Sequence, residues 1–290
     1  MAEPLPLCYL NGEYLPLREA RISPLDRGFL YADAVYEVMP VYAGRPFRFE
    51  AHLARLGVSL AGLGMQDPHT PKEWRRILGA LIEGNGGADQ YVYWQVTRGA
   101  EYGRNHAPLP QIPRTVFAFC APLPVNGPAQ LESGVACVTA VDTRWSRCDI
   151  KSTALLANVL LRQLAVDAHA TETILLRDGQ LTEGSASAVH VVQGGEVLVP
   201  PDSPRILPGT TRSVLEEMAA RAGIPWRVRA VSEAQLRAAD EVWLSAATRE
   251  LQPVTRLDGR PLGDGRPGPV FRRVHAQLQR YKGELAGTPW

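Results

Sequence analysis

Ala121-Pro-Leu-Pro-Val-Asn-Gly-Pro128 decides how the chain is divided, because three prolines and a glycine in eight residues cannot continue a strand or a helix. At 290 residues the chain is also too long for one small core. A small amino-terminal α/β domain is therefore expected over 1–121, an interdomain linker over 122–128 and a larger carboxy-terminal domain over 129–290.

Before the linker the pattern reads as strands, two helices, then strands. Cys8–Leu10 and Glu13–Leu15 flank Asn11-Gly12, a type I′ hairpin signal. Val35–Val41 reads as a strand that turns at Ala43-Gly44. Leu53, Leu56, Leu60 and Leu63 share one helical face over Glu50–Leu63. Thr70 and Glu73 form a capping box with Pro71 in the first turn, and Gly84 ends that helix. Its apolar face is Trp74, Ile77, Leu78, Leu81 and Ile82. Tyr91–Arg98 and Thr115–Cys120 complete this half as strands.

After the linker come a strand over Gly134–Val141 and a helix from about Thr153 to His169. Strands follow at Glu172–Leu176, Ala188–Val192 and Val197–Val199, and a helix over Thr211–Ala222 closes at Gly223. Ser232 and Gln235 cap a short helix, Glu241–Ser245 is a strand, and the last helix runs over about Val270–Lys282. The alternation is irregular, which favours a two-domain α/β or α+β fold over a doubly wound sheet. No GxGxxG occurs, so a Rossmann site is not expected.

The net charge of +1 gives no electrostatic reason to expect nucleic acid or an anionic membrane as partner. No apolar run reaches the roughly 20 residues that a membrane helix needs, and the amino terminus lacks a basic region and apolar stretch of signal-peptide type. Cys8, Cys120, Cys137 and Cys148 show no metal-ligand spacing, so a cytoplasmic chain with reduced cysteines and no metal site is expected. Only three of the 31 basic residues are lysines: Lys72, Lys151 and Lys282. A chain that uses arginine wherever charge suffices raises a question about a lysine in an apolar context, because only an amine readily loses its proton. Lys72 and Lys282 lie in charged helical contexts and read as surface residues.

Four segments carry possible chemistry. Lys151 falls in Arg144-Trp-Ser-Arg-Cys-Asp-Ile-Lys151-Ser-Thr, between an apolar strand and an apolar helix, where an amine can be desolvated enough to attack a carbonyl. Glu183, in Leu181-Thr-Glu-Gly-Ser-Ala-Ser187, is a single carboxylate among small residues that leave room for a flat ligand. Gly209-Thr210-Thr211, before a helix, offers free N–H groups and hydroxyls to a phosphate. Arg104 and His106 share a loop that can grip a carboxylate. Each also has an ordinary reading: a solvated lysine, an exposed loop glutamate, a plain N-cap and a basic loop. Together they fit pyridoxal phosphate (PLP) acting on amino acids better than any metal or nucleotide chemistry.

The order of motifs resembles the class IV, fold type IV PLP-dependent aminotransferases, and within them the D-amino acid aminotransferases. It extends from about Tyr9 to Phe271 through DRGFLYADAVYEV (Asp26–Val38), HLARL (His52–Leu56), YWQVTRG (Tyr93–Gly99), RWSRCDIKS (Arg144–Ser152), TEGSAS (Thr182–Ser187) and ILPGTTR (Ile206–Arg212). The resemblance implies that Lys151 forms the Schiff base and moves the proton, and that Glu183 pairs with the pyridine nitrogen. It implies phosphate contacts from Arg55, Thr210 and Thr211, a ring contact from Leu207 and a backbone contact from Ala247. Tyr36, Arg104 and His106 would trap the substrate carboxylate. The partners implied are small amino acids, D-alanine and D-glutamate among them, and 2-oxo acids. A homodimer is implied, with the active site at the subunit interface and the Arg104 and His106 loop reaching across it.

By helical spacing alone, Arg55 falls on the exposed face. The chain also departs from the family pattern. Ala186 and Ala188 stand where side-chain hydrogen bonds are usual, Ser245-Ala-Ala-Thr248 replaces a more hydroxyl-rich segment, and the loop before Arg104 is one residue longer. The same fold also serves branched-chain L-amino acid and (R)-amine transaminases and aminodeoxychorismate-type lyases. The Arg104-Asn-His106 pattern favours a D-amino acid transaminase over these.

Overall fold

The computed structural model describes residues 3–124 and 127–285. These form two compact units: residues 3–124 with Ile150–Leu155, and residues 127–149 with 156–285. The second, expected as one continuous stretch, is thus interrupted where Lys151 lies.

The first unit contains β1 (Leu7–Leu10), β2 (Glu13–Pro16), α1 (Arg27–Tyr31), β3 (Ala34–Tyr42), β4 (Arg45–Pro46), α2 (Phe49–Gly62), α3 (Pro71–Gly84), β5 (Gln90–Thr97) and β6 (Thr115–Pro122). Its sheet has the order β2-β1-β6-β5-β3-β4. The hairpin turns where expected, with Asn11 and Gly12 at φ 49° and 106°. Antiparallel pairing of β3 with β5 runs from Ala34–Thr97 to Val41–Gln90. Alternation then sends Val35, Glu37, Met39 and Val41 into the core against the leucine stripe of α2 and the Trp74, Ile77, Leu78, Leu81 and Ile82 face of α3. Each such buried aliphatic side chain contributes about 1.5–3 kcal/mol. The Thr70–Glu73 capping box is formed in full. Glu37 is the anomaly in this row, a carboxylate buried completely among apolar residues.

The expected helix from Thr153 instead starts at Leu156, because residues 150–155 are extended and add to the edge of β3. The Tyr36 N–H donates to the Lys151 carbonyl at 2.9 Å, and the Thr153 N–H to the Ala34 carbonyl at 3.0 Å. A helix there would leave those edge groups of β3 without partners. The expected linker is also shorter than its composition implies. Pro122 ends β6 opposite Gln90, and Pro128 opens a helix at a position where its missing N–H costs nothing. Val125 and Asn126, in the middle of that linker, lie outside the described residues.

The second unit contains α4 (Pro128–Ser133), β7 (Val135–Val141), α5 (Leu156–Asp167), β8 (Glu172–Arg177), β9 (Gln180–Gly184), β10 (Ala188–Gln193), β11 (Glu196–Val199), α6 (Thr210–Arg221), β12 (Trp226–Val228), α7 (Glu233–Arg237), β13 (Glu241–Ala246), β14 (Glu250–Leu257), β15 (Arg260–Pro261) and α8 (Pro269–Leu285). Its sheet runs β12-β11-β10-β13-β14-β7-β8-β9, with β15 paired to β14. Parallel pairs β14–β7 and β7–β8 adjoin antiparallel ones, which makes the sheet mixed. Four of these strands, β9, β12, β14 and β15, carry weak sequence signals. In β14 Pro253 sits inside the strand opposite Trp243, a placement that composition argues against. In β9 the small and polar residues read as a loop, yet Leu181 to Gly184 are all buried. Lys282, expected at the surface, is half-buried against Glu250.

Candidate active site

Lys151 belongs to the added segment on the β3 edge, and its N–H donates to Ser59 Oγ of α2 at 3.1 Å. Its side chain is half-buried, and Nζ lies 4.3 Å from the centroid of the Tyr36 ring on the neighbouring β3 position. An amine over an aromatic face is held by the ring quadrupole while remaining reachable. Tyr36 stacks in turn on Tyr93, with centroids 5.5 Å apart.

Behind this pair, Glu37 accepts hydrogen bonds from Arg55 Nε and Nη2, both at 2.7 Å, and from His52 Nδ1 at 2.8 Å. Burial pushes the Glu37 carboxyl up, but the Arg55 guanidinium and the His52 ring outweigh it and hold the group at about 2. His52 moves down, because burial disfavours its charge more than Glu37 favours it, so the ring donates as a neutral imidazole. The expectation of an exposed Arg55 is therefore corrected: its side chain is 10% exposed. Periodicity missed this because the partner is on a strand 18 residues away.

In the second unit Glu183 ends up deep in β9, correcting the reading of an exposed loop residue. One carboxylate oxygen accepts from Arg144 Nη1 and the other from the Leu207 N–H at 3.2 Å. Arg144 also grips Asp142 through Nε and Nη2, both at 2.9 Å, and Asp142 accepts from Thr182 Oγ1 at 3.0 Å. Burial raises the Glu183 carboxyl above the usual range, with Arg144 pulling against it. Each carboxylate oxygen keeps a second lone pair, so a ring N–H can still be accepted.

Gly209 is the N-cap of α6 and supplies no side-chain cap, which leaves the N–H groups of the first turn directed outward beside the Thr210 and Thr211 hydroxyls. A Cβ on Gly209 would come 3.3 Å from Arg212 Cβ and 3.9 Å from Ala188 Cβ, so the backbone here is closely fitted. Bare helix N–H groups and two hydroxyls suit a phosphate, a buried carboxylate suits a protonated pyridine nitrogen, and an amine on a ring face suits an aldehyde. The residues present thus fit PLP. Ala247, half-buried in the turn between β13 and β14, offers backbone only.

Ser185 and Ser187, just beyond Glu183, turn their hydroxyls onto Glu172, the latter at 3.0 Å. Arg249 Nη1 reaches the same carboxylate at 3.3 Å, so Glu172 fastens both the Glu183 segment and the turn that carries Ala247. Sequence reasoning missed Glu172, and one acidic residue opening an apolar strand gave no signal for it. Arg104 and His106 are exposed and meet neither Tyr36 nor Lys151 in the contacts of the described residues. They gather instead on Tyr31, with the Arg104 guanidinium 5.1 Å and the His106 ring 5.5 Å from its centroid.

Comparison with known proteins matches residues 34–257 to the family described as amino-transferase class IV. The chain is 37% identical over 275 residues to the D-alanine aminotransferase of Bacillus licheniformis, covering 93% of this chain and 94% of that one. Among solved structures it is similar to the branched-chain amino acid aminotransferase of Escherichia coli, with a TM-score of 0.90, 25% identity and coverage of 97% and 96%. Another solved branched-chain amino acid aminotransferase, complexed with N-(5′-phosphopyridoxyl)-L-glutamate and taken from a T.th. strain, gives a TM-score of 0.86 at 28% identity, covering 96% and 95%.

Proposed function

Because the chain belongs to the class IV aminotransferases, we propose that it is a D-amino acid transaminase, using PLP to exchange an amino group between D-amino acids such as D-alanine and D-glutamate and 2-oxo acids. The observation that carries this reading is the relationship to D-alanine aminotransferase at 37% identity over 93% of the chain. The branched-chain enzyme of known structure shares the fold at 25% identity, which sets the L-amino acid reading second.

When bound, PLP supplies an aldehyde for the substrate nitrogen and a ring that takes up the electrons left at the α-carbon. Lys151 Nζ holds the cofactor, and once displaced it moves the proton that leaves the substrate α-carbon. Tyr36, already 4.3 Å from that nitrogen, keeps the amine facing the reacting carbon. Glu183 accepts the ring N–H through the lone pairs that Arg144 and Leu207 leave unused. Thr210 and Thr211 bind the phosphate, Arg55 adds a guanidinium that Glu37 holds in place, Leu207 packs on the ring and Ala247 offers its backbone.

Tyr36, Arg104 and His106 bind the substrate carboxylate, the last two reaching the active site of a second copy of the chain. Two features support this homodimer with its active site at the subunit interface. Arg104 and His106 are exposed and stand on Tyr31. The α5 helix turns Leu156, Val159, Leu160 and Leu164 outward at helical spacing, 73%, 60%, 62% and 46% exposed, an apolar face that suits a subunit contact. We place the enzyme in the cytoplasm, in keeping with its free and buried cysteines. No helix among the described residues is long and apolar enough to cross a membrane.

Lys151→Ala tests the scheme. That variant should give no borohydride-trapped cofactor adduct by mass spectrometry and no amino transfer from D-alanine; normal turnover by it would overturn the reading.

A further inference from the structure

Arg27 is 4% exposed, and its guanidinium serves a loop that is itself almost wholly exposed. It opens α1 directly after Asp26, whose side chain caps the helix at the Gly28 N–H, 2.7 Å away. Thr97 and Thr115 donate to the other Asp26 oxygen at 3.0 and 2.6 Å, which fixes the start of α1 against β5 and β6. From this base Arg27 Nε donates to Asp33 at 2.9 Å and Nη1 to Glu101 at 2.5 Å. Nη1 also donates to the Asn105 carbonyl at 2.6 Å, and Nη2 to the His106 carbonyl at 3.0 Å. Four of the five guanidinium N–H donors are thereby used. The Arg27 backbone N–H adds a bond to the Gly99 carbonyl at 2.9 Å.

Both ends of the loop are thus tied to one side chain. A second tie within the loop also runs through Glu101, whose other oxygen accepts from the Leu109 N–H at 3.1 Å, and the Ala107 N–H donates to Asn105 Oδ1 at 3.3 Å. Tyr102 and Leu109 are 101% and 61% exposed, so they supply no apolar anchor. The guanidinium of Arg27 lies 4.7 Å from the centroid of the Tyr31 ring, the ring on which Arg104 and His106 also rest. Asp33 and Glu101 balance the Arg27 charge, which lets a second cation stand over the same ring.

We infer that Arg27 is a positioning residue for substrate recognition: it fixes the backbone of residues 101–106 so that Arg104 and His106 meet the substrate carboxylate in one arrangement. A planar fork with several donors is needed to hold two carbonyls and two carboxylates at once, and a lysine ammonium cannot span them. The inference rests on the transaminase reading, and in particular on the role given there to Arg104 and His106.

The test uses full-length holoenzyme and the half-reaction with D-alanine. Arg27→Lys should raise the apparent KM roughly 10- to 100-fold, as expected for a misplaced clamp, with kcat within about threefold of wild type. Glu101→Gln, which keeps the buried site filled, should raise KM in the same sense by a smaller factor. In an Arg104→Gln background, Arg27→Lys should add little, because it acts through the clamp. A KM unchanged in both single variants, a fall confined to kcat, or fully additive effects in the double variant would each overturn the proposal. Failure of the wild-type enzyme to convert D-alanine would instead remove the functional reading beneath it.

Discussion

Glu183 and Arg144 meet as a buried ion pair inside the second unit, one on β9 and the other seven residues before Lys151 in the chain. Removing Arg144 strands the Glu183 carboxylate in a low-dielectric site, which typically costs about 3–5 kcal/mol, whereas without Glu183 the guanidinium still pairs with Asp142. Burial pushes the Glu183 carboxyl up and the Arg144 guanidinium pulls it back, so Arg144 favours the ionised form that the proposed contact with a ring N–H uses. Glu183→Gln keeps the shape and loses the charge. Its kcat should fall roughly 100-fold or more while covalent attachment of the cofactor persists. Steady-state kinetics together with borohydride trapping checks this; unchanged kcat would remove Glu183 from its assigned role.

Gly209 leaves the α6 N-terminus without a side-chain cap, where Asp is among the strongest capping residues. Gly209→Asp should bring its carboxylate to the N–H groups assigned to the phosphate. PLP affinity should then fall roughly 10- to 100-fold, by like charge and lost donors, while the apoenzyme unfolds at the same or a higher temperature. Titration of the apoenzyme with PLP and thermal denaturation supply the two readouts. Unimpaired PLP binding would place the phosphate elsewhere.

Acid should weaken the fold in two stages. Burial, with Arg212 nearby, pushes the His190 imidazole down to about 3, against 6.5 for a free histidine. Below about pH 6.5 the unfolded chain binds a proton there that the folded one excludes, so stability falls by about 1.4 kcal/mol per pH unit. Glu37, held at about 2 against an ordinary 4.5, adds a second loss in the same direction as pH drops below about 4.5. Urea denaturation between pH 7 and 4 should show this slope, and His190→Gln should make the part above about pH 4.5 shallower, with His52 leaving a residual slope in the same direction. An unchanged slope in that variant would contradict the assignment.

The outward face of α5 should be a subunit contact. Leu160→Arg would place a charge at its centre and should raise the dimer dissociation constant by about 100-fold or more. Sedimentation at several protein concentrations distinguishes the states. A wild-type monomer at micromolar concentration, or a variant that remains a tight dimer, would refute the contact.

What could be read from the sequence was whatever rests on local periodicity or on a distinctive residue. The capping box at Thr70 and Glu73, the Asn11-Gly12 turn and the core face of α3 all emerged as expected. Lys151 stood out because lysine is scarce, and because an amine can lose a proton that a guanidinium keeps. What escaped depends on pairing across long stretches of chain. The inward turn of Arg55 is set by Glu37, the placement of the 101–106 loop by Arg27, and the register of the Glu183 segment by Glu172. Each is a charged residue whose burial is tolerated only because a partner distant in sequence satisfies it, and no local pattern announces that partner. Pro253 inside β14 and the extended Ile150–Leu155 segment escaped for a related reason: neighbouring strands override local preference.

The stereochemical claim is the most exposed to test. Holoenzyme should be mixed separately with D-alanine, L-leucine and an (R)-amine, and conversion of the cofactor to pyridoxamine phosphate followed by absorbance in a single half-reaction. D-Alanine should convert it fully and far faster than the other two. Conversion by L-leucine alone would contradict the assignment of Arg104 and His106, and with it the proposal that this enzyme acts on D-amino acids.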